Sequence, residues 1–167
     1  MKKYIRLFLI FLSVSILSSC VTLSPNIKQT DKLEEWEAIL VTRIHASPSA
    51  NGQLSVHQGF ASLPYAILSI DAGVHLKVVK IEASDGLRFS TYRTEGQRSS
   101  FDSDTLNFSI KPQSITYIGD VHIDLKRSNV SIFVTDDEEE TMALVKKAYP
   151  ELLSKLKFEK HLISAKQ

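Results

Sequence analysis

The close spacing of β-rich segments is the feature that most constrains this fold. Eight segments between residues 38 and 135 are rich in β-branched and aromatic residues, and no helical pattern separates them. Parallel strands need long crossovers, usually helical, so this order favours antiparallel sheets in a sandwich or a barrel. Of the two, we expect a mainly β fold, an antiparallel β-sandwich. The predicted strands are 38–46, 54–57, 64–70, 74–82, 87–93, 105–110, 115–125 and 130–135.

Two stretches between the predicted strands carry turn signals. Ser84, Asp85 and Gly86 predict a tight hairpin, because Asp-Gly accepts the positive φ that such turns require. The polar stretch 94–104 predicts a long loop. Alternation in the returning strand places Leu87, Phe89 and Thr91 on one face. The side chains predicted to be buried are Leu40, Ile44, Leu76, Val78, Phe89, Leu106, Phe108, Ile110, Val121, Ile123 and Ile132.

The pattern changes to a helical period after residue 135. Thr135 and Glu138 have the spacing of a capping box, and acidic residues at this end suit the helix dipole. Pro150 predicts either a kink or a second short helix that has the proline in its first turn. We expect a C-terminal amphipathic helix that packs on the sheet. Its apolar stripe consists of Met142, Val145, Tyr149, Leu152 and Leu156.

The N-terminus has the layout of an export signal. Lys2, Lys3 and Arg6 precede a short apolar run at 7–17, which small residues follow. The run is shorter than the roughly 20 apolar residues that span a bilayer. Cys20 is the only cysteine in the chain. If it is modified, the folded part has no thiol, which excludes a cysteine nucleophile, a thiolate metal site and a disulfide.

The sequence Leu17-Ser18-Ser19-Cys20 resembles the lipobox of bacterial lipoprotein precursors. The resemblance implies diacylglycerol attachment to Cys20, cleavage before it and acylation of the new N-terminus. It predicts a signal peptide at 1–19, a lipidated cysteine with a flexible tether at 20–35, and a single domain at 36–167. Because Val21 stands where aspartate commonly signals inner-membrane retention in such lipoproteins, we expect the inner leaflet of the outer membrane, facing the periplasm.

Two further segments resemble small Gram-negative envelope lipoproteins. One is the strand-turn-strand 69–76, in which Gly73 precedes an alternating strand; the other is 108–120, which contains Tyr117-Ile118-Gly119. The resemblance implies a prealbumin-like β-sandwich without an established activity, and it carries over no catalytic residue. The chain departs from the pattern at Gln113, where the family element prefers glycine.

The charge balance bears on the choice of partners. Without the three basic residues of the signal, 17 Lys and Arg face 19 Asp and Glu, so the mature chain is almost neutral. Nucleic-acid binding needs clustered basic residues, so we expect no nucleic acid as a partner. The partners expected instead are the membrane, through the lipid, and an envelope protein.

One strand carries three side chains that suit a divalent metal. Alternation places Asp120, His122 and Asp124 on one face, opposite Val121 and Ile123. Neighbours at i and i+2 are about 6.6 Å apart along a strand, which spreads the three too far to share one ion. We therefore expect a solvated strand face and no metal. A metal-dependent enzyme at these residues is the alternative.

A second candidate lies in and beside the long loop at 93–104. Arg88, Arg93 and Arg98, with Tyr92 and Phe101 near them, are suited to an anionic glycan or a lipid headgroup, because guanidinium pairs well with phosphate. A solvated loop is the alternative interpretation.

No catalytic pattern stands out elsewhere. The chain lacks a Gly-x-Ser-x-Gly elbow, a phosphate loop and a His-Glu-x-x-His sequence. Ser154 and Lys157 have serine-lysine spacing on the predicted helix, but the lysine-rich surroundings favour a solvated position. His45, which shares a face with Arg43, and His75 are predicted to point outward. We therefore expect a lipoprotein with a structural or interaction role, no enzymatic activity and no cofactor, and a binding module for an anionic envelope ligand as the alternative.

Overall fold

A computed structural model describes residues 26–28, 31–59, 63–102, 105–126 and 129–163. The described part is mainly β, with two sheets and two short helices. Its strands are β1 Glu37–Ala46, β2 Gly52–Gln58, β3 Ala66–Ile70, β4 Gly73–Glu82, β5 Ser84–Arg93, β6 Arg98–Ser100, β7 Asn107–Ile110, β8 Ser114–Tyr117, β9 Asp120–Lys126, β10 Asn129–Thr135 and β11 Lys157–Lys160. The helices are α1 Glu138–Ala148 and α2 Leu152–Lys155.

Sheet A is built around β1 and is mixed. β4 runs antiparallel to β1 along its whole length, while β8 and β9 follow each other along the opposite edge, both parallel to β1. β10 is antiparallel to β9, and β11 is parallel to β8. The prediction of purely antiparallel pairing is therefore wrong. Much of the connection from β1 to β8 runs through the second sheet, and the helices form the crossover that brings β11 alongside β8. The predicted strand 115–125 is also interrupted, at Ile118 and Gly119.

Sheet B is antiparallel and is built around β5. β2 and then β3 lie on one side of β5, and β6 and β7 share its other edge. The predicted hairpin at Ser84–Gly86 is wrong, because β4 belongs to sheet A and β5 to sheet B. The chain changes sheets at Ala83, whose amide donates to the Trp36 carbonyl. Gly86 does adopt a positive φ of 68°, in a bulge near the start of β5.

The predicted loop 94–104 contains a strand. The Thr94 amide donates to the Gln97 carbonyl at 2.9 Å, which closes a tight turn and returns the chain as β6. Residues 103 and 104 lie outside the described part. The predicted loop is therefore, over much of its length, the second strand of a hairpin with β5.

Side chains of both sheets form one hydrophobic core. Leu40 and Ile44 of sheet A meet Leu54, Phe89 and residues around them from sheet B. Of the side chains predicted to be buried, Leu76 and Ile132 are only partly so. The confirmed members are Leu40, Ile44, Val78, Phe89, Leu106, Phe108, Ile110, Val121 and Ile123. Tyr92 is buried where alternation predicts Thr91, because β5 contains a bulge at Ser90.

The helices cover the other face of sheet A. Val145 is buried there against Ile39, Val41 and Tyr117. The rest of the predicted stripe is partly buried in the same cluster: Met142, Tyr149, Leu152 and Leu156. The prediction that the helical segment packs on the sheet is confirmed, and both faces of β1 are buried as a result.

The helix boundaries differ from the sequence prediction. α1 begins at Glu138 with Asp137 at the N-cap, so the predicted capping box at Thr135 is wrong. Thr135 instead ends β10 and donates its hydroxyl to the Asp137 carboxylate. Pro150 lies between the helices, and the second helix begins only at Leu152.

Part of the segment predicted as a tether contacts the domain. Asn26 forms a β-bridge with Val79, and the Ile27 amide donates to the Val78 carbonyl. Ile27 is buried in the cluster beneath the helices. These residues add a short piece of chain to the edge of β4.

We expect Phe108→Ala to lower the free energy of unfolding by about 3–5 kcal/mol, the usual range for removing a buried aromatic side chain. Phe108 is 1% exposed and its ring lies 5.3 Å from that of Phe89. Denaturant unfolding measures the change. Phe133→Ala is the control, because Phe133 is 48% exposed and should cost far less. Equal costs for the two variants would contradict the assignment of the core.

Candidate functional site

A one-residue insertion in sheet A aims two polar side chains at the same point. Val41 pairs with Tyr117, and Ile44 pairs with Val121, so three steps along β1 match four steps along the β8–β9 edge. Bulges of this kind re-aim side chains. As a result Tyr117 and Asp120, three residues apart, both face the helices rather than opposite sides of the sheet.

Gly119 makes the insertion sterically feasible. Its φ of +99° is rarely adopted by other residues, and an added Cβ would lie 2.3 Å from a methyl group of Val134. The Gly119 carbonyl accepts a 2.7 Å hydrogen bond from the buried Thr42 hydroxyl, which ties the insertion to β1.

Asp120 is fully buried and lies at the centre of a polar network. Its Oδ1 accepts hydrogen bonds from the Tyr117 hydroxyl at 3.0 Å and the Thr141 hydroxyl at 2.8 Å. Its Oδ2 accepts from Arg43 Nε at 2.6 Å. Burial raises the pKa of Tyr117, and the negative charge of Asp120 raises it further. The network therefore joins β1, the β8–β9 edge and α1.

Arg43 extends the network to the start of α1. Arg43 is 5% exposed, and its guanidinium forms ion pairs with Glu140 and Asp120, and more distantly with Asp137. The hydrogen bond to Glu140 is the largest influence that raises the pKa of Arg43. The expectation that this strand face points outward is therefore wrong for Arg43. The sequence signal is an arginine in the middle of β1, a strand that is otherwise mostly apolar.

The prediction for Asp120, His122 and Asp124 is only partly right. All three lie on the face of β9 opposite Val121 and Ile123, as alternation predicts. The expected solvated face is wrong for Asp120, which Arg43 neutralises. Asp124 is separate and pairs with Lys126 at 2.8 Å.

His45 and His122 stack on each other beside the network. Their ring centroids are 4.3 Å apart, and Phe133 stacks on the other side of His122 at 4.5 Å. The Thr135 hydroxyl donates to Asp137, so His122 Nε2 must donate its proton to Thr135. Burial is the main cause that lowers the pKa of His122, and the neighbouring His45 lowers it further. With Val74 nearby, the stack borders a shallow cavity of about 340 Å³.

The described residues contain no group of three or more His, Cys, Asp or Glu side chains arranged to hold a metal ion. Within the candidate set, the Asp120 oxygens are occupied by protein donors, and Asp124 faces a lysine. The absence of a metal from the protein itself remains a prediction.

Ser154 and Lys157 do not lie on one helix, although their spacing in the sequence predicts that they do. Ser154 lies in α2 and donates to the Glu151 carbonyl, whereas Lys157 begins β11 and pairs with Glu159. The prediction that they occupy neighbouring helix positions is therefore wrong.

The three candidate arginines lie on the outer face of sheet B, which we call the arginine face. Arg93 and Arg98 are register partners in β5 and β6, and Arg88 lies nearer the start of β5. Arg88 Nε donates a long hydrogen bond to the Gly59 carbonyl. Among the residues that the structure describes, no carboxylate lies within ion-pair distance of any of the three.

Sequence reasoning missed a histidine-serine pair on the same face. His57 is the register partner of Arg88, and its Nδ1 contacts the hydroxyl of the buried Ser90. Its Nε2 is buried and has no hydrogen-bond partner in the described part of the chain. Burial is the main cause that lowers the pKa of His57, and the positive charges of Arg88 and Arg98 lower it further. Its sequence context shows no pattern, because the bulge at Ser90 creates the contact.

No protein-family model, curated protein or solved structure matches this chain. Within the described ranges, no helix has the length and apolar character needed to cross a membrane.

We expect Asp120→Asn to destabilise the protein by about 3 kcal/mol, because it leaves the buried Arg43 without its fully buried counter-charge. Asp124→Asn is the matched control on the same strand face, and its solvent-exposed pair with Lys126 should contribute little to stability. Denaturant unfolding of both variants measures the difference. A cost for Asp120→Asn as small as that of the control would contradict the central role of the network.

Stability should fall as the pH drops below about 6.5, the ordinary pKa of histidine. The folded state lowers the pKa of His122, so the unfolded chain binds more protons in this range and is favoured by acid. We expect His122→Gln to reduce this acid sensitivity, and His161→Gln, at an exposed residue, to leave it unchanged. Thermal unfolding across this pH range measures it. An unaltered pH slope in the His122 variant would rule out this contribution.

Proposed function

We propose that the protein is a lipid-anchored lipoprotein of the cell envelope with a non-enzymatic structural or interaction role. The observation that carries the proposal is Leu17-Ser18-Ser19-Cys20 at the end of a short apolar run behind a basic start. Two or more lipid chains hold a protein stably on a membrane, since each buried methylene contributes about 0.8 kcal/mol. The outer membrane, with the domain facing the periplasm, is the proposed location.

The fold supports an interaction module. Two sheets share one core, and we propose that together they form a β-sandwich with the helices packed outside it. Small β domains of this kind bind through loops, faces and sheet edges. The residues 26–28 that contact β4 would connect such a domain to the lipid by a short stretch of chain.

The buried network supports a structural role for Asp120 rather than a catalytic one. Tyr117 and Thr141 donate to one carboxylate oxygen, and Arg43 binds the other. A general base needs a lone pair that a substrate proton can reach, and this carboxylate is fully buried. A metal-dependent enzyme at Asp120, His122 and Asp124 is accordingly the less favoured alternative.

The second candidate function is a binding module for an anionic envelope ligand. The arginine face favours it, because Arg88, Arg93 and Arg98 share one face of sheet B and lack carboxylate partners among the described residues. Guanidinium groups in this state bind phosphate well.

We expect Cys20→Ala to abolish lipid labelling and to leave an unprocessed or soluble form, because no other residue can take the lipid. Metabolic labelling with a fatty-acid analogue, followed by membrane fractionation, measures both effects. Cys20→Ser is a matched variant that keeps the size and polarity of the side chain and should behave alike. Continued labelling of either variant would disprove the anchor, and recovery of the wild type in the inner membrane would disprove the location.

The interaction role is tested by crosslinking in intact cells and pull-down of the wild-type protein. We expect an envelope protein that crosslinks to the anchored wild type and is reduced with Cys20→Ala, because the anchor confines the domain near its partners. Crosslinks to lipid or glycan alone would contradict a protein partner and favour the second candidate.

A further inference from the structure

We propose that one end of the arginine face binds an acidic glycan, a sugar that carries a carboxylate or a phosphate group, at Arg93 and Arg98 and in the cleft beside them. This inference rests on the second candidate function and names the position and the chemistry of its ligand. It does not depend on lipidation of Cys20, so the anchor and the glycan site can fail separately.

Strand register places Arg93 and Arg98 side by side. They are direct partners in β5 and β6, so their Cβ atoms are about 5 Å apart and their side chains leave the same face of the sheet. Both are exposed, whereas Tyr92 on the opposite face of β5 is buried in the core. Like charges directly opposite each other destabilise a sheet, and in the described part of the chain no carboxylate lies close enough to pair with either. One oxyanion held between the two guanidinium groups removes this repulsion.

Polar side chains continue from the arginine pair across the sheet. Gln53 of β2 is the register partner of Arg93, and Ser69 of β3 is the register partner of Gln53. Thr91 and Ser100, which pair with each other, place two hydroxyls in the next row of the same face. Amides and hydroxyls both donate and accept hydrogen bonds, so this surface suits the hydroxyls of a sugar beside the arginines.

A polar cleft of about 790 Å³ opens beside Arg93, where the connections β1–β2, β3–β4 and β5–β6 meet. This volume is typical of small-molecule sites. Arg93 and Gln53 line the cleft together with Asp71 and Glu95. The two carboxylates can accept hydrogen bonds from sugar hydroxyls, but they repel an extended anionic surface such as a lipid bilayer. The lining therefore favours a discrete ligand with many hydroxyls and one negative group.

Local contacts fix the walls of the cleft. The Asn51 side chain accepts a 2.8 Å hydrogen bond from the Ala72 amide, which joins the β1–β2 connection to the β3–β4 connection. The hydrogen bond from the Thr94 amide to the Gln97 carbonyl closes the β5–β6 turn. Gly52 lies so close to β5 that an added Cβ would collide with the backbone of that strand. A site with fixed walls loses little conformational entropy when a ligand binds.

Amide chemical shifts test the site in the whole protein. The purified, isotope-labelled full chain in neutral detergent micelles is titrated with sodium glucuronate and with glucose-6-phosphate, which carry a carboxylate and a phosphate on the same kind of sugar. We expect saturable shifts confined to the residues around 51–53, 69–71 and 93–98 with at least one of the two, and the stronger binder identifies the acidic group. Glucose, and sodium chloride at the same ionic strength, should leave these amides almost unchanged.

Small anions and a lipid separate the glycan from the function on which it rests. Acetate and inorganic phosphate carry the charge without the sugar, and each should bind severalfold more weakly than the matching acidic sugar. Equal affinity would refute the glycan and leave an anion site, so the second candidate function would survive. Shifts with phosphatidylglycerol in the micelles, but with neither sugar, would refute the glycan in favour of a lipid headgroup. No shift with any of these probes overturns both.

Variants test whether the arginine pair is responsible. We expect Arg93→Gln combined with Arg98→Gln to weaken binding of the acidic sugar at least about tenfold, equivalent to about 1.4 kcal/mol. Because this change removes a repulsion, the thermal midpoint without ligand should not fall, which reports that the fold is intact. Arg88→Gln is the matched control, nearer the start of β5 on the same face, and should leave binding unchanged. An equal loss with Arg88→Gln would show that net charge alone is responsible and refute the site.

The carboxylates of the cleft provide a test in which two probes respond with opposite signs. Asp71→Ala combined with Glu95→Ala removes two hydrogen-bond acceptors and two negative charges at exposed residues. Because sugar hydroxyls donate to these carboxylates in the proposed complex, binding of the acidic sugar should weaken. Binding of acetate or phosphate should strengthen, since the repulsion is gone. Stronger binding of the sugar as well would show that the carboxylates only repel the ligand, and would refute a glycan in the cleft.

Discussion

The buried ion pair between Arg43 and Asp120 is the interaction on which the arrangement of sheet A and its helices depends. A charge removed from water is tolerated only when its counter-charge and hydrogen-bond donors are all in place. Those partners come from β1, from the end of β8 and from α1, in the form of Arg43, Tyr117 and Thr141. Misplacing any of the three elements would leave Asp120 incompletely paired, so the network specifies how the helix sits on the sheet.

The sequence predicts the elements well, and their partners poorly. Strand positions and the helical stripe follow from local periodicity, and both are largely confirmed by the burial of residues such as Phe108 and Val145. Alternation also places Asp120 and His122 correctly on one strand face. It cannot predict that Tyr117 lies there too, because that requires an inserted residue whose only local signal is Gly119.

Local sequence patterns do not predict which distant strands pair, because pairing depends on segments that lie far apart in the chain. Asp85 and Gly86 have hairpin chemistry, yet the chain changes sheets at Ala83 because β1 already provides a full-length partner for β4. Local periodicity predicts the end of a helix where β11 begins, since Leu156 continues the apolar stripe. The strand conformation of β11 depends on β8, which is more than forty residues earlier in the chain and can be recognised only once sheet A exists.

Each sheet contains an inserted residue that changes the direction of a charged side chain, but the electrostatic results are opposite. In sheet A the insertion at Gly119 turns Asp120 toward Arg43 and neutralises both charges in the interior. In sheet B the bulge at Ser90 turns Arg93 outward to join Arg88 and leaves their charges exposed to solvent. Most of the acidic residues at the start of α1 are paired as well, because Arg43 binds Asp137 and Glu140 while Lys160 binds Asp136 and Glu138. Paired charges therefore fix the position of the helix on sheet A, whereas the arginines of sheet B leave most of their donors to water or a ligand.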